Sequence, residues 1–465
     1  MDAAGEVWQG LTGERLRPAA LDVSGEESVL PGPFRVAEAA AAAIGVATLA
    51  AAELLRLTGI EPGRVSVDRR HAAAAFRSER YLRVDGEPPG DVWAALSGDY
   101  RAADGWVRLH CNYPRHADAA CRALNAPHER EAVTAAVARR TAWDVQESVI
   151  AEGGAAAAMR GRQEWRDHPQ GRALAAAPLV DLAPIAPAPA RAVARSDRPL
   201  GGVRVLELTH VIAGPVAGRA LAAHGADVLH IGAAHLPVVP PLVIDTGLGK
   251  RSARLDLRTP ADRDRLWRLV GEADVFVQSF RPGALARRGF SAENLARARP
   301  GIVVVDLGAY GWEGPWATRR GFDSLVQMAS GIAAEGGARC REPGRPVPLP
   351  AQALDHATGW LAAAAAMTAL RRRAVEGGSW RARLSLARTG WWLDSLGRQA
   401  AGAVGAVGAV DVAADPPELD VSGLLVTSPS PFGEVTHVRV PGALPAANPG
   451  WAHGPHLPGS DPAQW

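Results

Sequence analysis

Two stretches of this chain read as copies of one segment, and that repetition constrains the fold more than any other feature. LPAQALDHATGWLAAAAAMTALRRRAVEGG, residues 349–378, aligns without a gap on LPGPFRVAEAAAAAIGVATLAAAELLRLTG, residues 30–59. Leu349-Pro350 falls on Leu30-Pro31, and Gly378 falls on Gly59. Arg383-Leu384-Ser385-Leu386 then falls on Arg64-Val65-Ser66-Val67. Alanine-rich helices match each other cheaply, so the weight rests on the two ends and the shared spacing. In this register Asp355 stands where the other copy has Val36. A repeated scaffold that keeps one carboxylate and replaces its twin with an aliphatic group implies one chemical site, at Asp355, and one lost site.

A chain of 465 residues exceeds one ordinary core and implies two or more domains. Lys and Arg total 51 against 49 Asp and Glu, a formal +2, which gives no global field for nucleic acid. The basic residues are clustered locally, which suits an anionic small molecule. Cys111, Cys121 and Cys340, without a CxxC, argue against a disulfide framework or a thiolate metal site. The opening MDAAGEVWQG is partly acidic and lacks the apolar run of a secretory signal. The longest apolar stretch, Val36 to Leu55, is mostly alanine and contains Glu38 and Glu53, so it reads as a packed helix rather than a membrane span. A soluble, cytoplasmic protein is expected, with the alanine content attributed to genome composition.

The pattern along the chain changes once. Residues 1–27 read as irregular, and 28–185 as a degenerate half-module with a small α+β domain. The latter contains a helix near 36–57 and a short strand at Arg64–Val67. A β-hairpin follows from Tyr100 to Leu109, turning at Asp104-Gly105. A Pro/Ala linker, 186–199, marks the boundary. Beyond it, 200–395 alternates strands (Val203–Leu208, Asp227–Ile231, Asp274–Gln278, Ile302–Leu307) with helices (Pro215–His224, Pro260–Val270, Ser291–Arg299). That alternation predicts an α/β fold whose Rossmann-like parallel sheet is covered on both faces. Residues 396–465, opening on AGAVGAVGAV, read as a low-complexity, extended tail.

Thr209 to Gly218 follows the first strand without G-x-G-x-x-G, and Pro215 occupies the turn. A bound nicotinamide cofactor is therefore disfavoured. Other short pieces recur in fixed order: Leu206-Glu207-Leu208, Ala213-Gly214-Pro215, His224-Gly225-Ala226-Asp227-Val228, Lys250-Arg251-Ser252, Phe280-Arg281-Pro282-Gly283, Arg288-Gly289-Phe290 and Gly311-Trp312-Glu313-Gly314-Pro315. As an ordered set these resemble the family III CoA-transferases, a superfamily that includes carnitine-CoA transferase, formyl-CoA transferase and methylacyl-CoA racemase. The resemblance covers about 200–390.

In that family a carboxylate opening a helix in the pattern G-D-x-x-x-G attacks an acyl-CoA thioester and forms a mixed anhydride. Leu354-Asp355-His356-Ala357-Thr358-Gly359 matches, with Leu354 in place of the first glycine. The resemblance makes Asp355 the nucleophile, although Asp is also a common helix N-cap. It also places Lys250, Arg287 and Arg320 on the CoA phosphates, and Val211, Ile212, Ser279 and Phe280 along adenine and pantetheine. Phe322 stands where racemases carry a histidine base; it cannot accept a proton, which disfavours racemisation. Asp323 reads either as a second pocket carboxylate or as a structural cap.

Tyr100 to Leu109, Asn112-Tyr113-Pro114 and Glu164 to Gln170 resemble the small domain that normally follows the catalytic helix. The chain thus reads as the second half of one module joined to the first half of another. His110, His116 and His168 have no metal spacing and read first as core or surface histidines, with a reach into the site left open for His116.

The expected activity is acyl-CoA:carboxylate CoA transfer. Acyl-CoA and a carboxylic acid are the expected ligands, with no metal, NAD, flavin, nucleic acid or membrane. A homodimer or a pseudo-dimeric monomer would fit. An acyl-CoA racemase or a non-catalytic CoA-binding paralogue are the alternatives.

Overall fold

The computed structural model describes residues 2–338, 344–399 and 418–465. Cys340 and the AGAVGAVGAV run lie outside the described residues. The second half is organised by a seven-stranded sheet. Its order is Lys250–Arg254, Asp227–Gly232, Arg204–Leu208, Val275–Gln278, Val303–Gly308, Ser379–Ser385 and Asp181–Ala186. The first six strands are parallel, and the order reverses direction between Arg204–Leu208 and Val275–Gln278. Such a reversal opens a crevice at the carboxyl ends of the strands.

The two-residue side-chain period divides these strands between two cores. Leu206, Phe276 and Val304 pack with Leu266, Leu269 and Leu295 on one face. Val205, Val275, Val277, Val303 and Val305 pack on the other with Val216, Ala217 and Leu361. Strands buried on both sides read as continuous apolar runs, which is why VVV at 303–305 belongs in the middle of the sheet.

The repeated segments fold alike. Leu21–Ser24 and Val65–Asp68 form a parallel pair joined by the helix Val36–Leu57. Val303–Gly308 and Ser379–Ser385 form a parallel pair joined, through an intervening segment, by the helix Ala353–Glu376. These two long helices pack against each other. Ala40, Ala41, Ala43, Ala47 and Ala363 to Ala366 are all fully buried. Small side chains let the backbones approach closely, so packing accounts for these alanines where composition alone was expected to. Val36–Leu57 is long and apolar enough to cross a membrane by length and composition, and 83% of its most apolar window is buried inside the protein.

Three expectations about boundaries change. Residues 1–27 contain the helix Ala3–Thr12, capped by Asp2, and the strand Leu21–Ser24. The expected linker begins inside an edge strand, since Asp181–Ala186 runs antiparallel to Ser379–Ser385. Pro184 is tolerated there because an edge strand needs only one set of ladder bonds. In the tail, Leu425–Ser430 and Gly433–Val438 form a hairpin that pairs with Arg83–Val84.

The hairpin Gly98–Arg101/Trp106–Leu109 turns at Asp104-Gly105, as its sequence predicts. Ala156–Ala158 extends it to three strands. Helices Pro114–Leu124 and Ala142–Ala151 cover it and enclose a separate small core.

Candidate active site

A cavity of about 680 Å³ lies at the carboxyl ends of the parallel strands. One wall comes from the turns that follow those strands: His210 and Val211, Leu255 to Arg258, Ser279 to Arg281, and Leu307 to Ala309. The opposite wall comes from the N-terminal half, where Tyr113, Arg115 and His116 begin the helix Pro114–Leu124. Asp355 lies between them, in the first turn of Ala353–Glu376. A single chain therefore supplies both sides of one cavity.

Asp355 is 6% exposed, and among the described residues nothing donates a hydrogen bond to its carboxylate. Burial, then the charges of Asp323 and Glu79, hold it well above the usual carboxylate range. Asp323 is not a cavity residue. Its Oδ2 accepts the main-chain N–H of Asp355 at 2.9 Å, and Gln327 donates to its other oxygen. It caps the first turn from outside the helix. Burial raises it to about 6 against the hydrogen bonds from Gln327, Asp355 and Leu354.

His356 turns away from the cavity, stacks on Phe76 and meets Glu79 at 3.3 Å. Burial pushes Glu79 up, yet its bond to His356 and the charge there hold it below its ordinary value. Gly359 sits where an added Cβ would lie 2.5 Å from the carbonyl oxygen of Ala213 and 2.8 Å from Val216 Cβ. The final glycine of the L-D-H-A-T-G segment thus lets the helix Ala353–Glu376 pack on Ala213–Ala223.

The expected ligand residues divide. Val211, Ser279, Phe280, Arg287 and Arg320 line the cavity with Asp355. Val211 has φ +69°, a strained conformation for a β-branched residue, in the turn from strand to helix. Ser279 Oγ accepts the main-chain N–H of His210 at 3.2 Å, joining the turns on either side of the crevice. Arg320 donates to the carbonyl of Gly153 at 2.7 Å.

Ile212 and Lys250 are not brought to the cavity. Ile212 is 5% exposed and packs in the core as the residue preceding helix Ala213–Ala223. The Lys250 ammonium lies 2.7 Å from Glu207 and 2.6 Å from the carbonyl of Pro215, beneath Gly218. Glu207 also accepts from Thr209 and meets His230 at 3.1 Å. Lys250 thus neutralises a buried carboxylate in the fold, where a phosphate contact was expected.

Sequence reasoning missed Tyr113, Arg115 and His210, and for His116 ranked a core or surface place ahead of a reach into the site. Buried but cavity-lining, His116 leaves both ring nitrogens without a partner among the described residues. The signal was Pro114, which marks the start of a helix and so places Tyr113, Arg115 and His116 together at one helix end. Phe322 stacks flat on His110 at 3.6 Å, with His116 5.9 Å away.

Residues 200–400 match the model of CoA-transferase family III. An acyl-CoA transferase of Gibberella moniliformis is 30% identical over 402 residues, spanning 77% of this chain and 70% of that protein. The chain belongs to CoA-transferase family III. A probable fatty acyl-CoA transferase of Mycobacterium tuberculosis is 35% identical over 39% of this chain and 48% of its own length. Formyl-CoA:oxalate CoA-transferase of Rhodopseudomonas palustris is 33% identical over 38% and 44%. The chain thus spans about half of these two bacterial relatives. A crystal structure of a hypothetical protein of Mycobacterium tuberculosis is 31% identical, covers 43% of this chain and 57% of that one, and has a TM-score of 0.40.

Proposed function

We propose that this protein transfers CoA from an acyl-CoA to a carboxylic acid, with Asp355 as the nucleophile. The observation that carries this reading is the Asp355 carboxylate itself: unpartnered among the described residues, destabilised by burial, and part of the wall of a cavity rich in arginine. A carboxylate is a weak nucleophile in water, and loss of solvation together with a pre-bound thioester raises its reactivity.

In the proposed reaction an Asp355 oxygen attacks the thioester carbonyl carbon. The C–S bond breaks, CoA leaves as thiolate, and an acyl-aspartyl anhydride remains. The thiolate then attacks the Asp355 carbonyl, releasing the donor acid and leaving an aspartyl thioester. The acceptor carboxylate displaces the thiolate to form a second anhydride. Attack of the thiolate on its acyl carbon releases the new acyl-CoA and frees Asp355. Arg287 and Arg320 are the proposed phosphate contacts, with Val211, Ser279 and Phe280 along the rest of the CoA chain.

The test is a panel of acyl-CoAs with hydroxylamine, read by mass spectrometry of the protein. A hydroxamate on Asp355, absent in Asp355→Ala, supports the reading. Exchange of the α-proton with deuterated water without CoA transfer would make the protein a racemase, and bound CoA without any adduct would make it a binding protein.

A further inference from the structure

Three guanidinium groups meet in the cavity without an acidic partner. Arg281 and Arg320 come from the parallel-sheet half, and Arg115 from the N-terminal half. Among the described residues neither Arg115 nor Arg281 forms an ion pair or a side-chain hydrogen bond, and Arg320 has only the carbonyl of Gly153. They are near enough to act on each other's surroundings. All three charges weigh on His116, and Arg115 and Arg281 both weigh on Arg320. Like charges gathered at one surface without counter-charge are unfavourable unless an anion joins them.

Two further features favour an anion at the Arg115 end. Arg115 is the second residue of an eleven-residue helix; the N–H groups of His116 and Ala117 donate to the carbonyl of Tyr113, and among the described residues the main-chain N–H of Arg115 has no acceptor. His116, 1% exposed, lines the cavity with two unpartnered ring nitrogens.

We propose that Arg115, with His116 and the start of its helix, forms a phosphate subsite that closes on the pyrophosphate of CoA from the side opposite Arg281 and Arg320. The N-terminal half, which has lost its own carboxylate, retains a binding role: it holds down the substrate of the surviving site. A guanidinium suits this task because it grips phosphate with two N–H groups and stays charged at every working pH. The inference rests on the acyl-CoA reading for its ligand, not for the chemistry at Asp355.

Calorimetry with free CoA tests it on the full chain. Loss of one charge-assisted contact predicts that Arg115→Ala weakens CoA binding roughly ten- to hundred-fold. Arg115 is exposed, so its thermal melt should match that of the parent protein. The same loss with dephospho-CoA supports the pyrophosphate, and disappearance of the loss there overturns it in favour of the 3′-phosphate. A phosphate-free acyl-pantetheine thioester should react equally with both proteins. An Arg115 effect that persists with that thioester, or appears in the KM of the acceptor acid, overturns the proposal in favour of a carboxylate contact. Unchanged CoA affinity also overturns it. Arg115-dependent CoA binding without an Asp355 adduct supports the subsite and sinks the transfer reaction.

Discussion

The main-chain N–H of Asp355 donates to the Asp323 carboxylate at 2.9 Å, so one buried acid caps the helix on which the other acid sits. This arrangement stabilises the turn and raises the pKa of Asp355 at the same time. The two effects separate by mutation. Asp323→Ala orphans a buried N–H, at about 1–3 kcal/mol of stability, and removes a like charge from Asp355. Asp323→Asn keeps one acceptor oxygen for the Asp355 N–H but turns an amide N–H toward Gln327, so it restores part of that stability and not the charge. Urea melts should therefore rank the parent first, then Asn, then Ala. The acid limb of hydroxamate formation should move to lower pH in both variants.

Asp355 is itself a liability to the fold. Its pKa is raised on folding, so between the unfolded and folded values the native state binds more protons than the unfolded one. Stability then falls as pH rises through that window and stays reduced above it. Asp355→Asn removes the ionisation, and the cavity asks for no hydrogen bond from that side chain. The variant should melt higher than the parent at pH 7, with the gain vanishing below about pH 4, near the ordinary aspartate value. Thermal melts across pH check this, with adduct formation abolished in the same protein. A melt unchanged at pH 7 would show that the burial cost is met elsewhere.

The alternation of strands and helices after residue 200 was legible because strands buried on both faces read as short apolar runs and their covering helices carry a period of 3.6. Asp355, which the structure places in the cavity wall, stood out as well, through the duplication and the spacing to Gly359. Lys250 was not, because a lysine that faces solvent and one that neutralises Glu207 look the same in one dimension. Arg115 was missed, and His116 ranked low, for a related reason. They face a cavity whose other wall lies more than ninety residues downstream, and no local period reports such a meeting. The strand Leu21–Ser24 was missed because its alternation covers only four residues and its partner lies beyond a 22-residue helix.

Gly359 makes a packing prediction. A Cβ there would lie 2.5 Å from a main-chain oxygen, which cannot step aside as a flexible side chain does. Gly359→Ala should cost about 1–3 kcal/mol through overpacking, despite alanine's better helix propensity. Gly359→Val should be worse. A circular-dichroism melt of the alanine variant that matched or exceeded the parent would mean that the two helices separate easily.

The Glu79–His356 pair joins the N-terminal half to the residue beside Asp355, and its contribution depends on pH. The Glu79 side chain is 11% exposed and the His356 side chain fully buried, so removing one partner strands the other. Glu79→Ala should cost about 1–3 kcal/mol at pH 7, the cost of leaving a buried polar partner unmatched. Because Glu79 is held below its ordinary value, its contribution is present above the unfolded glutamate pKa and lost as pH falls through the lower folded one. The gap between parent and Glu79→Ala should therefore narrow on acidification below about pH 4. Denaturant melts at neutral and acid pH read this directly. If the gap stayed constant, shape rather than charge would be the contribution of Glu79, and His356 would be held by its stack on Phe76.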